Sequence, residues 1–455
     1  MKKNLAILLL AVSGFFAACG DKNESVEPPK PTEVVIVGAN VTSPTPSVIS
    51  TNTTWTADKK YLIKGFVYVE PGVTLTIEPG TVIQGDKQSQ GTLIITKGAK
   101  INAAGTAQRP IVFTSNMAVG NRKAGDWGGI IILGNAPVNQ GTAKIEGGLT
   151  FPAGKDAYVV YGGSDAADNS GVLTYVRVEF AGVAFSLNNE INSLTFGGVG
   201  SGTRVSYVQV YAAGDDAYEW FGGTVNADHL VAVKTLDDDL DTDFGFSGKV
   251  QFALIQRNPS AFDISGSNGF ESDNDGDGST KTPLTGATFS NVTVVGPLNG
   301  TGNTVDALFQ HGAQIRRNSS QSIINSVFVG YPIGVYIDDT KGTATSGNYT
   351  SGKLLFKNNV IAGCPTPFKA TNAAIITQLT TDNTVVATVA DAKIADAFKF
   401  NAKPSFLLSA GSPALTGANF TGISGLQSVA YRGAFDGSAD WTTGWTNWDA
   451  ENTAY

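Results

Sequence analysis

The chain of 455 residues is poor in the groups from which most active sites are assembled, with two cysteines, two histidines and two methionines. Cys19 directly follows the N-terminal leader as the expected lipidation site and Cys364 stands alone in the body, so no disulfide is expected within the fold and stability has to come from burial and backbone pairing. His229 and His311 are far apart, neither with a second histidine at ligand spacing, which disfavours a histidine-built metal centre and favours structural roles. No Gly-x-Ser-x-Gly elbow joins a strand to a helix, and Cys364 precedes Pro365 without an evident base, so covalent catalysis by serine or cysteine is disfavoured. The glycines follow strands and lead to turns, which is unlike a phosphate-cradling loop. Charged residues make up only 15%, the formal net charge is −8 and no basic face is visible, which argues against a nucleic-acid partner. Beyond the leader no apolar run is long enough to cross a membrane.

The leader reads as an export signal over residues 1–18: Lys2 and Lys3, an apolar run from Leu5 to Phe16, then Ala17-Ala18 before Cys19. Small residues directly before a cysteine suit cleavage by a lipoprotein signal peptidase and diacylation of Cys19, a two-chain membrane anchor. Residues 19–31, with Asp21, Lys22, Glu24, Pro28, Pro29 and Pro31, read as an extended tether.

With 54 glycines and few long helical charge patterns, the remainder has an all-β composition. Thr74-Leu75-Thr76-Ile77 is echoed 18 residues on by Thr92-Leu93-Ile94-Ile95, and Tyr175-Val176-Arg177-Val178 is echoed 32 residues on by Tyr207-Val208-Gln209-Val210. Similar short strands return at 230–233, 252–255, 291–295, 326–330 and 359–363. Spacings of this size mark a solenoid, and one-faced alternation with a break after each strand suits units that bury their apolar side only by stacking. A β-propeller needs a steadier and longer period than the 18-residue offset. The expected fold is a single-stranded right-handed parallel β-helix with N- and C-terminal caps: an irregular entry segment at 32–60, the helix at 61–370, a helical or irregular insertion packed outside the stack at 371–400, and last turns with an aromatic cap at 401–455. Trp441, Trp445 and Trp448 read as a lid over the open end.

Three motifs resemble a widespread group of bacterial, Bacteroidota-type envelope lipoproteins: Asp126-Trp127-Gly128-Gly129-Ile130-Ile131-Ile132-Leu133-Gly134-Asn135-Ala136-Pro137, Asp215-Asp216-Ala217-Tyr218-Glu219-Trp220-Phe221-Gly222-Gly223, and Leu240-Asp241-Thr242-Asp243. The resemblance runs from about Trp55 to Trp448 and implies a β-helix that is pectate-lyase-like in fold only, which licenses no reaction. It also implies an outer-membrane uptake protein as partner. The acidic residues just after Cys19 resemble a surface-display signal, so the expectation is an outer-membrane lipoprotein, surface-exposed or periplasm-facing, and aromatics near an acidic stretch point to a polysaccharide as the other partner.

Nine acids crowd the stretch from Asp215 to Asp243 against one base, Lys234. A shift of 23 residues superposes Asp215-Asp216 on Asp238-Asp239, which places two acidic loops at one corner of adjacent turns. Stacked carboxylates repel unless a cation separates them or some keep their protons, and calcium, a hard ion taking six to eight oxygens, is the natural relief. Asp215, Asp216, Asp238, Asp239, Asp241 and Asp243 are the expected ligands. Asp273, Asp275 and Asp277 form a second calcium-loop pattern, although Leu284 stands where an EF-hand needs a carboxylate. A solvated acidic rim would explain both stretches equally. If the corner is catalytic, Asp215, Asp216, Asp238 and Asp239 are candidate glycosidase acids and Lys234 the base of a calcium-dependent lyase. Tyr218 and Trp220 are the candidate sugar platform, with burial in the core as the alternative. The residues favour a non-catalytic, calcium-stiffened binding or scaffold module, with a polysaccharide lyase or carboxylate glycosidase as the alternative.

Overall fold

Short strands of alternating polarity stack in parallel throughout the body of the protein. The computed structural model describes residues 33–186, 189–300, 302, 304–400 and 402–455. The expected signal peptide, Cys19 and the tether therefore lie outside the described residues. One sheet has 17 strands and a second has 11, and every pairing within these two sheets is parallel. The chain passes repeatedly between them, so the fold is an all-β parallel β-helix.

The register explains the repeats. Val176 faces Val208, which faces Leu230, then Ala253, then Val292, all buried, so one position of each turn builds a continuous apolar column. Each valine or leucine of the column contributes about 1.5–3 kcal/mol by leaving water, and Ala253 less. The 32-residue echo is a true rung. The 18-residue echo is not: Thr74 pairs with Lys100 in the long sheet and Thr92 with Phe66 in the short one, so the two similar segments are different sides of the helix.

A left-handed backbone position recurs in register at Tyr175, Tyr207, His229, Phe252, Asn291, Asn325 and Asn358. Bulky residues rarely adopt positive φ. Here the rings stack outward on one another, Tyr175 on Tyr207 at 4.5 Å, Tyr207 on His229 at 4.3 Å and His229 on Phe252 at 5.1 Å. Further along asparagine, which tolerates this conformation, takes over.

The ends differ from the sequence expectation. The entry segment is ordered, since Glu33–Gly38, Pro46–Ile49 and Thr53–Trp55 pair in parallel with Lys59–Lys64, Phe66–Val69 and Thr74–Ile77 as a first turn. The far end of the core is covered by the short helix Ile376–Asp382 and the turn before it, whose Leu379 and Ile375 are buried against the main apolar column. The tryptophans form no end lid. Trp445 meets Tyr175 and Tyr207 edge-on at 5.9 Å and Trp441 meets His229 at 5.0 Å, so the C-terminal segment runs back along the flank of the long sheet and roofs its ring ladder. It continues to the early turns, where the Tyr455 hydroxyl donates to Glu179 at 2.6 Å and Arg122 donates to the Ala450 and Thr453 carbonyls.

Candidate functional site

On the short sheet, strands Tyr218–Phe221, Leu240–Asp243, Phe270–Ser272, His311–Ile315, Ile333–Ile337 and Thr366–Ala370 follow one another, and their alternation decides which side chains face out. The register aligns Glu219, Asp241, Glu271, Gln314, Tyr336 and Lys369 in one outward column. The offset between the first two strands is 22 residues, Tyr218 facing Leu240, where the sequence comparison used 23. Asp216 therefore stacks on Asp238, and Asp239 falls on an inward position.

Two residues ahead of successive strands stands an Asx residue: Asn192, Asp216, Asp238 and Asn268. Each side-chain oxygen accepts a backbone N–H from the next turn, Asn192 from Asp216 at 3.2 Å, Asp216 from Asp238 at 2.8 Å, Asp238 from Asn268 at 2.6 Å and Asn268 from His311 at 3.1 Å. The ladder spaces the turns, and asparagine performs the same task at its outer steps. The negative charge of Asp216 and Asp238 is thus surplus to the fold.

That surplus is concentrated. Carboxylate oxygens of Asp215, Asp216 and Asp237 lie within 4.8 Å of one another, as do those of Asp216, Glu219 and Asp241. Asp216, Asp237 and Asp241 border a cleft of about 160 Å³ that also takes in Asp238, Glu271 and Arg316. Asn192 donates to both Glu146 and Glu219. Burial, then the neighbouring carboxylates, holds Asp215, Asp216, Glu219 and Asp238 well above the usual carboxylate range. Lost hydration also raises Glu146, which the segment between Gly129–Leu133 and Gly171–Glu179 carries to the corner. Burial pushes Asp237 up to about 6, Asp241 to about 7 and Glu271 to about 8, Arg316 restraining the last two. Asp241 Oδ1 is buried without a hydrogen-bond partner. These clusters could hold a metal ion, since they offer several convergent hard oxygens in place of the protons that burial otherwise imposes.

Not every expected residue belongs to this corner. Asp239 is wholly buried and ion-paired with Arg257 at 2.6 Å, so its charge is already met inside the fold. Asp243 accepts from the Phe244 N–H at 2.6 Å and joins neither carboxylate group. Asp273 is held by Arg316 and Arg317, and Asp275 accepts from the Asp277 and Ser279 N–H groups in a self-contained turn, while Asp277 points to solvent. The second calcium loop is therefore not assembled. Lys234 lies on the long sheet beneath the C-terminal segment, bonded to Tyr211 at 2.5 Å and Glu451 at 2.9 Å, and is no base for the corner. Tyr218 and Trp220 are fully buried, Trp220 stacked between Phe196 at 5.7 Å and Phe246 at 5.3 Å. Alternation turns Glu219 outward and these rings inward, so they form no sugar platform. Sequence reading missed Asn192 and Asn268, which the Asx spacing could have revealed, and Glu146, which nothing local marks.

Comparison with known proteins adds the following. The profile described as a pectate-lyase like β-helix domain matches residues 47–406. No curated protein matches. Among solved structures, the catalytic domain of a GH87 α-1,3-glucanase, an aspartate-to-alanine variant in complex with tetrasaccharides, is similar at 10% identity over 79% of this chain and 70% of that chain. Its TM-score is 0.27, an overlap too slight to bear on substrate or reaction.

Proposed function

This chain belongs to the family of pectate-lyase-like β-helix domains, and from that premise we propose that it is a non-catalytic carbohydrate-binding module, anchored at the outer membrane through a lipidated Cys19, that carries calcium at the acidic corner of its short sheet. The observation that carries the reading is the Asx ladder: Asn192 and Asn268 support the backbone as Asp216 and Asp238 do, so the two charges there serve something other than the fold. A hard, oxygen-only donor set with a neutral amide beside it suits calcium. The same corner is ill-shaped for an inverting glycosidase, whose carboxyl groups stand about 6.5–9.5 Å apart to admit water, because here three carboxylates converge within 4.8 Å.

Titration calorimetry with calcium chloride on the protein without residues 1–19 tests the cation site. Saturable binding that disappears in Asp216→Asn/Asp241→Asn is expected, and an absence of heat in the parent protein overturns it. Incorporation of labelled palmitate that is lost in Cys19→Ala tests the anchor. A second reading rests on Asp241 and Glu271, whose titration at about 7 and about 8 suits a general acid at neutral pH. Release of reducing ends, or of products absorbing in the ultraviolet, from any polysaccharide in calcium would favour that enzymatic reading.

A further inference from the structure

The outward column that begins in carboxylates ends in an ammonium. Three turns beyond Glu271, about 14 Å at one strand spacing per turn, Lys369 holds its Nζ 4.0 Å above the Tyr336 ring. Among the described residues no carboxylate lies within ion-pair distance of it. Lys369 and Tyr336 border a cleft of about 660 Å³, a size typical of small-ligand sites. Gln310 and Gln314 line both this cleft and the acidic one, so the two form one groove along the short sheet. Its walls at the lysine end are apolar, from Pro332, Ile333 and Pro365. His311 is neutral there, held at about 4 chiefly by burial. Its Nδ1–H donates to Asn268 Oδ1 at 2.8 Å, which leaves Nε2 as an acceptor. Asp306, the one acid lining this cleft among the described residues, accepts from the Leu308 N–H at 3.0 Å.

We infer that this cleft is an anion-selective subsite of the groove, taking a sugar that bears a carboxylate or a sulfate: the anionic group on Lys369, the ring against the proline and isoleucine wall, and hydroxyls on the amides that lead toward the acidic corner. The inference rests on the carbohydrate-binding reading. It adds direction, because a ligand with its charge at the other end would meet Glu271 and Asp241. Tyr336 fixes the ammonium over its face, so the cation is placed before the ligand arrives.

Binding of three probes to the full-length protein in detergent tests this: a chondroitin tetrasaccharide, its sulfated counterpart, and the carboxyl-reduced, unsulfated form. The parent protein is expected to prefer an anionic probe over the reduced one by about tenfold, the scale of one charge-assisted hydrogen bond. Lys369→Gln should erase that preference while leaving the calcium titration and the thermal melt unchanged, and Lys369→Arg should restore it. A gain with the unsulfated acid supports a carboxylate ligand, and a gain only with the sulfated probe supports a sulfate. Equal affinities for the three probes, or a preference that survives Lys369→Gln, overturn the subsite alone. Failure of all three to bind overturns it together with the carbohydrate reading of the groove.

Discussion

Asp241→Asn should stabilise the calcium-free protein at pH 8 and destabilise it, relative to the parent, once calcium is added. Asp241 titrates at about 7 in the fold, against about 4 in an unfolded chain. Its folded value is raised, so the stability it contributes is complete below about pH 4 and is lost as pH rises through about 7. Each pH unit between the two costs the folded state about 1.4 kcal/mol, or about 4 kcal/mol by pH 8. Asparagine keeps the shape and cannot ionise, so the variant escapes that cost. For a chain of this length, where about 1 kcal/mol moves the midpoint by about 1 °C, the calcium-free variant should melt about 4 °C higher at pH 8 and level with the parent at pH 4. Calcium near saturation reverses the order, because it stabilises only the protein whose ligands are complete, by about 5.5 kcal/mol at about ten thousand times its dissociation constant. Differential scanning fluorimetry at pH 4 and pH 8, with chelator or with calcium, gives all the midpoints. A variant that melts below its parent in chelator at pH 8 refutes the argument that the charge is surplus to the fold.

Three further perturbations probe the surroundings. Asp239→Ala leaves Arg257 charged and enclosed, so it should cost about 3–5 kcal/mol in urea unfolding, and a loss under 1 kcal/mol would show that the pair at 2.6 Å is not the partner Arg257 depends on. Asp216→Asn keeps the oxygen that accepts from the Asp238 N–H at 2.8 Å; the pH 4 midpoint should stay within about 1 °C of the parent while calcium affinity falls at least tenfold, and a collapse at pH 4 would mean that the ladder requires the charge. Trp445→Ala empties the contact with the ring ladder at Tyr175 and Tyr207 and should cost about 3–5 kcal/mol, with limited proteolysis cutting first in the C-terminal segment. Cleavage first among the turns of the helix would contradict the flank-strap assignment.

What the sequence made legible follows from how a solenoid encodes itself. Alternation repeats in every turn, so the fold class could be read from many weak copies of one signal. Register is different, because loops of unequal length separate the copies, and a one-residue slip exchanges the two faces of a strand. The step from 22 to 23 residues moved Asp239 from an inward partner of Arg257 to an imagined ligand. Local alternation in Tyr218–Phe221 already placed Tyr218 and Trp220 opposite Glu219, so a platform and an acidic corner could not both face outward on that strand. Spacing likewise gave Asp273, Asp275 and Asp277 the look of a calcium loop. In the fold Arg316 and Arg317 arrive from the next turn and neutralise Asp273, an encounter that lies 43 residues away in the chain. Among the described residues the acidic corner has no such cation for Asp215, Asp216 and Glu219, and Glu146 from a distant segment adds one more carboxylate. Carboxylates concentrated on a ladder that asparagine serves as well give the corner a charge that backbone support does not require.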